Sequence, residues 1–112
     1  MIVQIETRAS LDQIEAIAAV DGIDSLFIGP GDLSSDMGFF GQLSHPEVLT
    51  TIESALRRIV ATGKAAGILS PIETEARRWI ELGVQYIAVG SDLGILARGS
   101  DALAARYQTP SV

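Results

Sequence analysis

Ser25-Leu26-Phe27-Ile28-Gly29-Pro30-Gly31-Asp32-Leu33-Ser34 runs four strand-forming residues into a Gly-Pro-Gly turn that ends on a carboxylate. Its first part has an echo further on. Gly22-Ile-Asp-Ser-Leu-Phe-Ile-Gly29 returns as Gly83-Val-Gln-Tyr-Ile-Ala-Val-Gly90, and each copy is soon followed by Asp-Leu, as Asp32-Leu33 and Asp92-Leu93. One βα module is therefore used more than once with a different load on its loop. Outward from it, short apolar runs at Ile2–Glu6, Ser25–Ile28, Ala65–Leu69 and Tyr86–Val89 read as strands. Between and after them, 3.6-residue periodicity predicts helices over Leu11–Val20, Pro46–Ala61, Pro71–Leu82 and Asp92–Arg106. Their inward stripes are Leu11/Ile14/Ala18, Val48/Ile52/Leu56/Ile59, Ile72/Ala76/Trp79/Ile80 and Leu93/Leu96/Ala97/Leu103. Strict alternation of strand and helix implies a parallel sheet with right-handed crossovers.

Start and stop signals agree with these bounds. Ser10-Leu-Asp-Gln13, Ser44-His-Pro-Glu47 and Ser70-Pro-Ile-Glu73 each offer a hydroxyl N-cap with Glu or Gln at N3, and Pro71 suits N1. Gly22, Gly63 and Gly83 stand where a left-handed residue ends a helix. The chain has 112 residues, enough for one core, read as a domain over 1–107 with a polar tail over 108–112. It has no cysteine, which removes disulfides, thiolate metal sites and a cysteine nucleophile. A net charge of −6 with eight Lys and Arg is a poor footprint for nucleic acid or an anionic membrane. No apolar run has the length of a membrane span, and no signal-like segment precedes the first strand, so the expected location is cytoplasmic.

Four βα units do not close a barrel, since an eight-fold barrel usually takes about 250 residues. The choice lies between a small open sheet and half of a (β/α)8 TIM barrel. Gln4 and Glu6 share one face of the first strand, and a barrel mouth tolerates such groups better than a strand buried between helix layers. Half a barrel leaves two sheet edges and an inner face uncovered, which predicts a homo-oligomer, either paired edge to edge or exchanging the last helix.

Glu6 and Asp32 both fall where a predicted strand ends, and ligands gather at the carboxyl ends of parallel strands. Glu6 also fits a plainer role, paired with Arg8 or serving the helix begun by Ser10. Asp32 fits an N-cap for a helical turn over Leu33-Ser34-Ser35-Asp36. Against simple capping, Gly29 and Gly31 permit positive φ and bring amides near an anion, with Pro30 stiffening the turn. Two hard oxygen donors beside bare amides suit Mg²⁺, with Mn²⁺ or Co²⁺ as alternatives, and a ligand carrying both a carboxylate and a chelating carbonyl. His45, the single histidine, reads as structural. Met37-Gly-Phe-Phe-Gly41 reads as a lid or a subunit contact, Asp92 as a helix N-terminal group and Trp79 as core.

Val3-Gln-Ile-Glu-Thr7, Ile28-Gly-Pro-Gly-Asp-Leu-Ser34, Ser44-His-Pro-Glu-Val48, Gly67-Ile-Leu-Ser-Pro71 and Val89-Gly-Ser-Asp-Leu-Gly94 resemble, in order and spacing, the HpcH/HpaI aldolase family. The chain looks most like its 2-dehydro-3-deoxyglucarate aldolases, over Ile2 to Tyr107 and over the C-terminal half of the family's barrel only. The resemblance implies a class II, divalent-metal-dependent lyase that cleaves a 2-keto-3-deoxy sugar acid to pyruvate and an aldehyde. By the same resemblance Glu6 and Asp32 match the metal ligands, Gln4 a polar contact to the pyruvate carbonyl, Gly31 and Asp32 the amide clamp for its carboxylate, and Leu69 an apolar wall. The family's arginine and histidine base belong to the absent half, and neither Arg8 nor His45 matches them. A half-length chain is accordingly expected to bind metal and 2-keto acid with little turnover. The alternatives are a non-catalytic oligomeric half-barrel that retains the site, and a half-barrel that binds phosphate at Gly90-Ser91-Asp92.

Overall fold

A computed structural model describes residues 1–108; of the polar tail, residues 109–112 lie outside the described part. The elements run β1 (Ile2–Ile5), α1 (Arg8–Asp12), α2 (Ile14–Ala18), β2 (Ser25–Ile28), α3 (Pro30–Asp36), α4 (Pro46–Ala61), β3 (Ala65–Leu69), α5 (Glu73–Leu82), β4 (Tyr86–Ala88) and α6 (Asp92–Ala105). The four strands pair in sequence order, β1-β2-β3-β4, and every pair is parallel. This is half of a (β/α)8 barrel, with helices on one face of the sheet and no described element on the other.

The two faces follow from the strand period of two. Ile5, Leu26, Ile28, Ala66 and Ile68 turn toward the helices and are buried. They meet Ile14 and Ala18 of α2, Val48, Ile52, Leu56 and Ile59 of α4, and Trp79 of α5 in one core. The opposite face carries the row Gln4–Phe27–Gly67–Tyr86, each residue in register with the next. Gly67 is required there, because a Cβ would come 2.7 Å from the Phe27 ring and 3.2 Å from the Tyr86 carbonyl oxygen. The Phe27 and Tyr86 rings meet across it with centroids 5.5 Å apart.

Several helix starts differ from the sequence expectation. Thr7, not Ser10, caps α1, and Ser10 is the reciprocal N3 partner of that capping box. The predicted single helix over Leu11–Val20 breaks at Gln13 into α1 and α2. His45, not Ser44, caps α4, with Nδ1 accepting from the Glu47 amide, while the Ser44 hydroxyl donates to Glu75. Ser70 and Pro71 precede α5, which begins only after Ile72 and has no side-chain cap. The Ser70 amide instead bonds the Ala88 carbonyl and so extends the β3–β4 ladder. Gly63 and Gly83 stop α4 and α5 as read, with positive φ, whereas α2 already ends at Ala18 and Gly22, also at positive φ, lies in the turn beyond it.

The larger correction is α6. Its expected inward stripe of Leu93, Leu96, Ala97 and Leu103 is exposed, and no residue of the helix is buried among the described residues. A right-handed crossover after β4 would lay this helix beside α5. Instead the groove there, lined by Ala76, Arg77, Ile80 and Val89, stays open. The molecule extends 62 Å along its long axis against 26 and 22 Å across.

Candidate metal and keto-acid site

Local chemistry places Glu6 with some care. The Gly29 amide donates to the Ile5 carbonyl at 3.0 Å, carrying the β1–β2 ladder one step past the last strand pair. The Glu6 and Thr7 amides both donate to the Ser10 hydroxyl, so the capping box of α1 also pins the residue that follows β1. Arg8 reaches away from Glu6. Its amide donates to the Asp36 carboxylate at 2.8 Å and its guanidinium to the Met37 carbonyl at 2.7 Å, tying α1 to the end of α3. The plainer reading of Glu6 as the ion-pair partner of Arg8 is therefore not what the chain does. The Glu6 carboxylate has no hydrogen-bond or ion-pair partner among the described residues.

Gln4 and Glu6 lie together against Gly29. A Cβ built on Gly29 would lie 2.7 Å from Gln4 Nε2 and 3.2 Å from Glu6 Oε2. Leu69, in register with Ala88, ends β3 on the same open face and is 41% exposed. Gln4 itself lines a depression with Ile2, Phe27 and Tyr86.

Asp32 sits one element on. Gly29 is the N-cap of α3, Pro30 is N1 and Asp32 stands in the first turn, so the helical turn read over Leu33–Asp36 is real and begins earlier. Positive φ is not how the turn works: Gly29 has φ −97°, and neither Gly29 nor Gly31 is left-handed. The amides of Gly31 and Asp32 are free for a simpler reason. First-turn amides have no intrahelical acceptor, and Gly29 has no side chain to cap them. Both residues are exposed. Steric crowding at Gly31 is absent as well, since a Cβ there would meet nothing within 4 Å. Asp32 shares a groove with Gly31, Ser34, Ser35, Phe40, Gly41 and Leu43, separate from the depression at Gln4. The loop expected to act as lid or contact thus borders Asp32, with Phe40 84% exposed while Met37 and Phe39 pack on the core.

Glu6 directly follows β1, while Asp32 stands in the first turn of α3 and lines a groove that does not include Glu6. No group of three or more His, Cys, Asp or Glu gathers among the described residues. One or two carboxylates, with the rest of the shell from ligand and water, is a donor number that Mg²⁺ accepts. His45 stacks on Phe39 at 4.1 Å and caps α4, away from this chemistry. At α6, Ser91 accepts from the Gly94 amide and Asp92 adds a negative charge. Both oppose phosphate at that terminus. What sequence reading missed is the aromatic pair Phe27–Tyr86 on the inner face and the spatial demand on Gly29. Strand register would have revealed the first.

The model of the HpcH/HpaI aldolase/citrate lyase family matches residues 1–99. A pyruvate aldolase of Rhizobium etli is 54% identical over 109 residues, which are 97% of this chain and 43% of that protein. A 4-hydroxy-2-oxo-heptane-1,7-dioate aldolase of Salmonella paratyphi B is 54% identical over 107 residues, 96% of this chain and 41% of that protein. The crystal structure of an HpcH/HpaI aldolase/citrate lyase family protein from Burkholderia cenocepacia superposes with a TM-score of 0.87 at 34% identity, covering 96% of this chain and 42% of that one. The chain spans about two-fifths of the length of these relatives. No described helix is long and apolar enough to cross a membrane. By family model and by relatives, the chain belongs to the HpcH/HpaI aldolase/citrate lyase family.

Proposed function

We propose that this chain is the metal- and keto-acid-binding half of a class II pyruvate-type aldolase, a carbon–carbon lyase acting on 2-keto-3-deoxy sugar acids. The observation that carries the reading is Glu6, a carboxylate left without a protein partner and held beside Gln4 over a bare glycine, next to the start of α3. Glu6 and Asp32 would hold Mg²⁺, with Mn²⁺ or Co²⁺ as substitutes. When bound, the metal would polarise the 2-keto oxygen as a Lewis acid. The chain's own groups do the rest of the binding. The first-turn amides of Gly31 and Asp32 take the keto-acid carboxylate, where the helix dipole favours negative charge. Gln4 Nε2 donates toward the keto oxygen, and Leu69 supplies an apolar wall that excludes water from one side.

Arg8 is tied to Asp36 and Met37 and His45 caps α4, so neither is offered as the group that moves a proton, and binding without appreciable cleavage is the expected behaviour of the chain alone. The test is Mn²⁺ binding with and without pyruvate. Pyruvate should tighten Mn²⁺ in the wild type, and Asp32→Ala and Glu6→Ala should each weaken Mn²⁺ at least tenfold without loss of fold. Equal Mn²⁺ affinity in all three would overturn the assignment. Rapid pyruvate release from a 2-keto-3-deoxy sugar acid would overturn the expected lack of turnover.

The assembly we infer is a homo-oligomer in which α6 of one copy fills the groove beside α5 of another. Its support is the match of two gaps in one chain: a helix with Leu93, Ile95, Leu96 and Leu103 exposed, and an open groove at Ala76, Ile80 and Val89 where a helix after β4 would lie.

A further inference from the structure

We propose that Gly29 is a positioning residue whose missing Cβ is the seat on which the Gln4 amide and the Glu6 carboxylate are held side by side. The inference rests on the metal-binding reading of Glu6 given above. Backbone conformation does not explain a glycine here. Its φ of −97° is open to any residue, and as an N-cap glycine is no better than Ser, Asp or Asn, which would bond a first-turn amide of α3. Space explains it. Gly29 is buried, and a Cβ would sit 2.7 Å from Gln4 Nε2, 3.2 Å from Glu6 Oε2 and 3.3 Å from Glu6 Cβ.

These three contacts differ in what can yield. Gln4 Nε2 is the far end of a flexible, exposed side chain and can swing away. Glu6 Cβ cannot, because its backbone is fixed by the Ser10 hydroxyl and by the Gly29–Ile5 hydrogen bond. A methyl group at Gly29 therefore displaces the amide and turns the carboxylate off its line. Gly31, by contrast, has open space around it. The spatial demand in Gly-Pro-Gly falls on the first glycine alone.

The experiment is Mn²⁺ affinity, read by electron paramagnetic resonance of free Mn²⁺, on the purified 112-residue chain, with a thermal melt of each variant. Gly29→Ala should bind Mn²⁺ at least tenfold more weakly than wild type. Adding Gln4→Ala removes the nearest contact and should regain at least threefold of that loss, which a merely global destabilisation would not do. Wild-type affinity in Gly29→Ala, with affinity lost in Glu6→Ala, overturns the seat and leaves the metal reading standing. Equal affinity in wild type and Glu6→Ala overturns the metal reading and the positioning role with it. Should Gly29→Ala not fold, Gly29→Ala/Gln4→Ala is compared with Gln4→Ala alone. A further loss of threefold or more supports the seat, and equal affinity overturns it.

Discussion

Replacing Leu93 and Leu96 together by Asp should convert an assembled protein into a monomer without unfolding it. The two side chains are 74% and 70% exposed, and Ile95 and Leu103 are 67% and 54% exposed, so the chain's own core gains almost nothing from them. Burying a Leu or Ile completely is worth about 1.5–3 kcal/mol, which at these exposures gives roughly 4–8 kcal/mol for the four side chains of one helix. A reciprocal exchange counts the helix twice, about 8–16 kcal/mol, against an association cost of about 4–15 kcal/mol. The upper part of that balance is a dimer stable at micromolar concentration. Removing two of the four anchors from both helices takes away at least about 4 kcal/mol, or roughly a thousandfold in Kd. Each Asp also brings a charge whose burial in the groove beside Ile80 and Val89 is costly. Light scattering coupled to size exclusion reads the mass, and circular dichroism shows that the fold survives. A wild-type chain that runs as a well-folded monomer at micromolar concentration would refute the reasoning. So would a double variant that stays assembled.

Two further perturbations address the body of the fold. Trp79 on α5 is 1% exposed in the core, so Trp79→Ala should cost about 3–5 kcal/mol in urea unfolding; a loss below about 1 kcal/mol would show that α5 contributes little to the core. Acid should weaken the chain through three carboxylates held below their ordinary range: Glu15 by its hydrogen bond to Arg58, down to about 2, Glu53 by Arg57 and Arg78, and Asp24 by the N-terminal ammonium. Because these folded-state values are depressed, their contribution is present above the unfolded range and is lost as pH falls through the folded values, for Glu15 from about 4.5 toward 2. Thermal melts from pH 6 to 3 should therefore fall more steeply for wild type than for Glu15→Gln, by a small margin since both partners are substantially exposed. Parallel profiles would remove the Glu15–Arg58 pair from the account.

The strands and α4 were legible because each had one demand on it. Val48, Ile52, Leu56 and Ile59 recur at helical spacing and all are buried, since α4 has the sheet on one side and solvent on the other. Helix starts were less legible because several side chains compete for the same amides. Thr7 and Ser10 both carry hydroxyls, and the earlier one caps because Arg8 and Ser10 are then bonded as well. Likewise Ser44 lost the cap of α4 to His45 once Glu75 took its hydroxyl. At Ser70-Pro71, the pull of the β3–β4 ladder on the Ser70 amide delayed α5 by a few residues.

The site and α6 show where a single chain's pattern stops being informative. Glu6 and Gln4 could be placed on one face from the strand period alone, because alternation fixes faces without reference to any partner. The role of Gly29 could not, because it depends on two side chains more than twenty positions away that meet it only through β1–β2 register. For α6 the apolar spacing of Leu93, Leu96 and Leu103 predicted an inward stripe, and all three side chains are exposed. Periodicity carries no label for which chain does the covering. Under the proposed exchange, a helix that leaves its own groove open while keeping its own apolar face exposed would satisfy the same pattern in another copy, at no cost to the local signals that made it a helix.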